Sequence, residues 1–273
     1  MLASNLVTFR ETLEAALVVG IILAFLTRTA RQSLQKYVWY GVGGGIVASV
    51  IIAVLLQIFF GGLEGRLKQI FEGILMFVTS ILLTTMILWI HRQKGIAKKL
   101  EKGTGEYIKR GFPLGISFLV FTSVMREGIE TVFYLQAISS LGATNQTIGS
   151  LVGIVSAILL IYFLFKFSLK INLQSVLKIS GAILLLFAAG LVAHGVHEFQ
   201  EAGMLPVFHF DPLIDISHIL DNTSVFGSIL RTLFGYTAKP TFLEIVMYVS
   251  YIFIIFVLEI LTDKVILSKS EKK

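Results

Sequence analysis

Apolar runs of roughly 20 residues, separated by short stretches rich in lysine, arginine, glycine and other polar residues, recur along the chain, and Thr131 to Phe165 carries no charge at all. A helical run of that length crosses the hydrocarbon core of a bilayer, about 30 Å thick. The pattern therefore predicts an all-α polytopic membrane protein with seven transmembrane helices, near 5–27, 37–60, 70–90, 112–138, 148–166, 179–199 and 241–262. The first run lacks a basic stretch ahead of it and contains Arg10, so it reads as a first span and not as a cleaved signal peptide.

Composition agrees: 55% of residues are hydrophobic and 15% charged, with a mean hydropathy of +0.84. Basic residues concentrate in the connections at 28–36, 91–110 and 166–178 and in the tail at 263–273, whereas the opposite connections hold only Arg66, Lys68, Arg231 and Lys239. The positive-inside rule places the N-terminus outside and the C-terminus in the cytoplasm. The net charge of +6 and the pI of 9.4 then reflect topology, and no nucleic-acid partner is expected. The 91–110 stretch reads as a basic loop, with His91 at the interface.

The chain looks internally duplicated. Gly45-Ile-Val-Ala-Ser49 resembles Gly153-Ile-Val-Ser-Ala157, and Gly73-Ile-Leu75 resembles Gly181-Ala-Ile183, both at an offset of 108 residues. Spans one and four are an odd number of helices apart and run in opposite directions, so a 3+3 inverted repeat plus one extra helix is expected. The single transmembrane domain would comprise repeat one (about 1–110), repeat two (about 111–203), an outer segment (204–240), a seventh helix (241–262) and a cytoplasmic tail (263–273).

Two charged motifs break the apolar pattern: Arg10-Glu11-Thr12-Leu13-Glu14 and, 116 residues later, Arg126-Glu127-Gly128-Ile129-Glu130. Each charge at the centre of a span costs roughly 2.5 to 3.5 kcal/mol on insertion scales, so function is the default reading of such residues. Counted at about 1.5 Å per residue from opposite faces, both motifs fall in one layer of the outer half of the membrane. In each, the glutamates share a helix face and the arginine reaches the second glutamate at i+4. Fully ionised, the motifs sum to a charge of minus two, which a desolvated cation would balance. The bland alternative is a set of ion pairs that pins helices together. With no cysteine in the chain and no cluster of methionines, a soft-metal path is disfavoured, and carboxylates suit hard ions.

At the outer end of span six, His194, His197, Glu198 and Glu201 fall on one helical stripe suited to capturing a metal, or simply capping the helix at the interface. Glu72, at the start of span three on the same side, joins them as a candidate for metal capture. His209, Asp211, Asp215, His218 and Asp221 add an acidic, cation-concentrating character to the outer segment. Within it, Phe226 to Phe234 has helical apolar spacing and predicts a short amphipathic helix on the membrane or over the site. The Gly41-Val-Gly-Gly-Gly45 run lacks the following Lys-Ser/Thr of a phosphate loop and reads as close helix packing.

Two Arg-Glu-x-x-Glu motifs, in spans one and four of a seven-span chain, resemble those of the oxidase-coupled high-affinity iron permeases, which include the fungal iron permease and the bacterial EfeU type. The Phe71-Glu72-Gly73 start of span three, His197 to Gly203, Phe226-Gly-Ser-Ile-Leu230, Phe234-Gly-Tyr236 and Pro240 extend the likeness. Thr12, where the family commonly has glycine, and Ile214, where it often has tryptophan, depart from it. The resemblance implies iron as transported substrate and no organic cofactor. It implies Glu11, Glu14, Glu127 and Glu130 as iron ligands, with Arg10 and Arg126 as their counter-charges. It implies, too, a separate ferroxidase, of multicopper or haem-peroxidase type, that delivers Fe(III), an extracytoplasmic iron-binding protein, and residence in a bacterial or archaeal plasma membrane. A permease for lead or manganese is the nearest alternative. A haem or metal enzyme within the membrane is another, although no H-E-x-x-H motif is present and His194 and His197 share one helix.

Overall fold

The protein was analysed as a computed structural model, which describes residues 1–92, 96–142, 145–167, 173–208, 212, 215, 218, 220, 227, 230, 231 and 234–270. Among these residues there is no strand. The helices are α1 (Leu2–Arg28), α2 (Gln35–Gly61), α3 (Gly65–Arg92), α4 (Ile96–Lys109), α5 (Leu114–Ser140), α6 (Gln146–Phe167), α7 (Leu173–Glu201) and α8 (Phe242–Ser270). Each of the seven apolar runs forms a helix, because with no water in the hydrocarbon only a helix satisfies its own backbone. Among the described residues four helices are long and apolar enough to cross a membrane, within 32–61, 65–88, 146–164 and 179–201. The protein is thus an all-helical membrane protein.

The 91–110 stretch departs from the expected plain loop, since 96–109 is helical. Its charges hid a stripe: Leu100, Thr104, Tyr107 and Ile108 recur at helical spacing, and Leu100, Tyr107 and Ile108 pack on a buried cluster of Ile22, Leu26, Val38, Ile116, Val120 and Val124.

The chain divides into two compact units, Met1–Leu63 with Gln93–Leu177, and Glu64–Arg92 with Lys178–Lys273. In the first unit α1 lies along α6 and α2 along α5. Both contacts run parallel and are closed by glycines. Gly41 and Gly45 meet Val120 and Val124, while Gly149 and Gly153 meet Ser4 and Thr8. A Cβ on Gly153 would lie 2.2 Å from Thr8 Oγ1, so only glycine lets the Thr8 hydroxyl cross to the Ser150 carbonyl at 3.1 Å. Close backbone approach of this kind is how helices associate where no hydrophobic drive separates protein from lipid. Ile22 and Leu26 of α1 share a buried cluster with Ile116 and Val120 of α5, while Glu11, earlier in α1, faces Glu127, later in α5, so α1 and α5 are antiparallel.

In the second unit α3 and α7 cross antiparallel, with Gly73 against Gly195 and the Ser80 hydroxyl donating to the Ala188 carbonyl at 3.2 Å. Phe77 and Phe199 stack beside the glycine pair, 5.7 Å between ring centroids. The Tyr251 and Thr84 hydroxyls tie α8 to α3. The chain after α7 does more than lie along a surface. Gly227, Leu230, Arg231 and Phe234 are helical, and Gly235, at φ +67°, packs its backbone against that of Gly190. Thr241 then returns to Gln200, ten residues or about 15 Å further along α7. Helical periodicity alone does not distinguish a surface helix from one that dips inward. His209, Asp211, Ile214, Asp221 and Phe226 lie outside the described residues.

Candidate functional site

The antiparallel crossing of α1 and α5 sets the two motifs side by side. Carboxylate oxygens of Glu11, Glu127 and Glu130 lie within 4.8 Å of one another, the metal-ready grouping found among the described residues. Two oxygens on opposite sides of an ion, with metal–oxygen bonds of about 2.1 Å, lie about 4.2 Å apart, so the trio is close to a coordination sphere. Glu11 and Glu127 are almost wholly buried. Neither oxygen of Glu11 has a hydrogen-bond partner, and neither does Glu127 Oε2. Buried carboxylates left without donors are costly unless an ion pairs with them.

The arginines sit behind these acids. Arg10 NH1 is 3.5 Å from Glu11 Oε1 and its Nε 3.4 Å from Glu14 Oε1, the expected i+4 pair. Arg126 donates through Nε to Glu127 Oε1 at 3.0 Å and through NH2 to the same oxygen. Its Nε lies 3.7 Å from Glu130 Oε1. Glu130 also accepts from the buried Tyr134 hydroxyl at 3.1 Å through Oε2. Sequence reasoning passed over Tyr134, although it stands one turn beyond Glu130. Glu14, expected with the others, is not in the trio, and its Oε1 has no hydrogen-bond donor.

A cavity of about 1020 Å³ opens beside the trio within the first unit. Glu11, Thr12, Ser49, Glu127, Gly128 and Thr131 line its polar end. From there it runs along α1 to Thr27 and along α2 to Trp39 between almost entirely apolar walls. Gly128 has a tight local reason: a Cβ there would meet Ser49 Oγ at 2.0 Å.

The second constellation lies in the other unit, at the C-terminal end of α7. His197 Nε2 is 3.2 Å from Glu201 Oε1, and its Nδ1 is 2.8 Å from Glu244 Oε1. Gln69 donates to Glu201 Oε2 at 2.9 Å. Glu72, Glu201 and Lys68 are charged neighbours of Glu198. His194 is buried, its Nδ1 without a partner, with Arg231 as a charged neighbour. Glu244 escaped the sequence reading. Its signal was there in Thr241-Phe-Leu-Glu244, the Thr-x-x-Glu of a helix start. The Thr241 hydroxyl accepts from the Glu244 backbone at 3.3 Å. Asp215 is engaged elsewhere, 2.9 Å from Lys239.

Residues 1–271 match the model of the iron permease FTR1 family. A ferrous iron permease EfeU of Yersinia pestis is 32% identical over 256 residues, 92% of this chain and 90% of its own. One from Escherichia coli O6:H1 is 30% identical over 262 residues, 92% of each. An uncharacterized protein of Archaeoglobus fulgidus is 31% identical over 259 residues, again 92% of each. No solved structure matches. These likenesses span the whole chain and leave no room for the enzyme alternative: the chain belongs to the iron permease FTR1 family and is a membrane transporter.

Proposed function

We propose that iron crosses the plasma membrane through the paired motifs, bound by the carboxylates of Glu11, Glu127 and Glu130 with Glu14 close by, and that Arg10 and Arg126 offset their charge. The observation that carries this is the convergent trio with unpartnered buried oxygens. All-carboxylate ligation suits a hard ion, and Fe(III) from a partner ferroxidase is the reading we adopt. The relatives' printed name, ferrous iron permease, favours Fe(II) as the second reading. An extracytoplasmic iron-binding protein would feed either form.

Seven spans, with the N-terminus outside, are part of the same proposal, and so is the inverted repeat. Support comes from packing. Gly41 and Gly45 stand 108 residues before Gly149 and Gly153, and the side chains they meet, Val120 and Val124, stand 116 residues after Ser4 and Thr8. Ser80 bonds the residue 108 positions on, Ala188, as expected where a two-fold axis passes between equivalent helices. His197 and Glu201, with Glu72, Glu198 and Glu244 around them, form the outer capture site in this reading. Glu244 holds Nδ1, a common support for ligating histidines, and leaves Nε2 beside Glu201 for the two to take up an ion together. His194 belongs to the buried interior and not to the capture surface.

Iron uptake into proteoliposomes tests the proposal, offering Fe(II) under reducing and Fe(III) under oxidising conditions to the native protein and to Glu127→Gln. Uptake lost in the variant, at normal protein level, is the expected outcome, and the form taken up identifies the transported species. Full uptake by Glu127→Gln overturns the site. Competition with Mn(II) and Pb(II) in the same vesicles separates iron from the nearest other cargoes.

A further inference from the structure

The trio is lopsided. It takes both glutamates of the second motif and only the first of the other. Under the 116-residue correspondence Glu11 matches Glu127 and Glu14 matches Glu130, so Glu11, Glu127 and Glu130 have a mirror-related counterpart: Glu127, Glu11 and Glu14. The two sets share Glu11 and Glu127. Their unshared members lie at opposite depths. Along α1 Glu14 is three residues beyond Glu11, and along the antiparallel α5 Glu130 is three residues beyond Glu127. Each step is about 4.5 Å, in opposite directions across the membrane. In the proposed orientation Glu130 is on the outer side and Glu14 on the cytoplasmic side.

We propose that the site holds the ion at two successive positions: an outer one made by Glu11, Glu127 and Glu130, present in this structure, and an inner one made by Glu11, Glu127 and Glu14. The inner one forms when the two halves exchange conformations, as inverted repeats do in alternating access. Glu11 and Glu127 never release the ion during the exchange. Only the third ligand changes, so a desolvated cation is not stranded without charge at any stage. The neighbours bear this out locally. Tyr134 fixes Glu130 in the outer set, whereas the matching position next to Glu14 is Val18, which offers no hydrogen bond. Glu14 Oε1 has no hydrogen-bond donor and lies 3.4 Å from Arg10 Nε. Glu11 Oε2 and Glu127 Oε2, buried and unpartnered, are free to serve both positions.

This inference rests on the reading of the motif glutamates as the iron site. Its test separates binding from transport in the full-length protein. Equilibrium binding of radioactive iron to purified protein, and uptake into proteoliposomes, are measured for Glu130→Gln, Glu14→Gln and Glu11→Gln. Glu130→Gln should weaken binding by about 10-fold or more. Glu14→Gln should bind close to the native level and yet lose about 10-fold or more in uptake. Glu11→Gln should lose both. If Glu14→Gln weakens binding as much as Glu130→Gln does, the four acids make one site and the two-position scheme falls while the iron site stands. If none of the three variants weakens binding, the iron site itself falls. Should Glu14→Gln fail to fold, Glu14→Asp, which keeps the charge on a shorter arm, is read in the same assays. Normal binding with slowed uptake supports the scheme, and native behaviour in both overturns it.

Discussion

Arg10 and Arg126 occupy the same place in two nearly identical motifs, yet their surroundings differ. Arg10 is completely buried and none of its nitrogens has a hydrogen-bond partner, only ion pairs at 3.4 and 3.5 Å. The Arg126 side chain is 53% accessible and donates directly to Glu127. The i+4 geometry comes from the helix and is shared, while burial comes from neighbours and is not. Thr12 and Gly128 differ between the motifs, as do Ser49 and Ala157 beside them and Val18 and Tyr134 beyond. A duplicated motif thus yields one arginine sealed among carboxylates and another that is half in solvent while it hydrogen-bonds its neighbour.

Breaking that contrast should have its largest effect at Arg10. Arg10→Met leaves buried carboxylates uncompensated, a change that typically costs 3–5 kcal/mol. Thermal unfolding in detergent should show a severe loss of stability, larger than that of Arg126→Met, which also strips Glu127 of its partner but removes a half-exposed side chain. Equal losses would mean that the difference in burial has no energetic weight. Next comes the shared pair: Glu11→Gln and Glu127→Gln should each cut uptake by about 100-fold, because both ion positions need them. A strong effect from only one would break the equivalence of the two motifs. Gly153→Ala and Gly45→Ala probe the two matching helix contacts and should each destabilise by about 1–3 kcal/mol through overpacking. The larger loss is expected at Gly153, where backbone and a hydroxyl are met. The smallest effect belongs to Tyr134→Phe. Losing the hydrogen bond to Glu130 should weaken iron binding by about 3-fold, in line with about 0.5–1 kcal/mol net for a hydrogen bond, because Glu130 keeps Arg126 beside it. Stability should hardly change, and unaltered binding would show that the hydroxyl does not position Glu130.

Most of the helical frame was legible in the sequence, because apolar runs of membrane-spanning length leave the backbone few alternatives. The pairing of the motifs was legible too: two arginines and four glutamates in apolar surroundings, counted from opposite faces, fall at one depth. What the residues did not disclose was which three of the four glutamates converge, since that depends on helix rotation and on Tyr134. Charge counting misread α4, whose apolar stripe of Leu100, Tyr107 and Ile108 lies among lysines. Glu244 was hidden for another reason: its partner His197 is 47 residues away, and local spacing carries no record of such a contact.

The contact between Gly235 and Gly190 bears on how this chain would look to topology mapping. A hydropathy profile assigns Gly235 to a connection between spans, where a cysteine or an epitope would be expected to meet water-soluble reagents. With the Gly235 backbone against the middle of α7 there is no room for a side chain at that position, but Ala238, buried three residues on, should instead resist membrane-impermeant thiol reagents when replaced by cysteine. Gly203, at the exposed end of α7, should react.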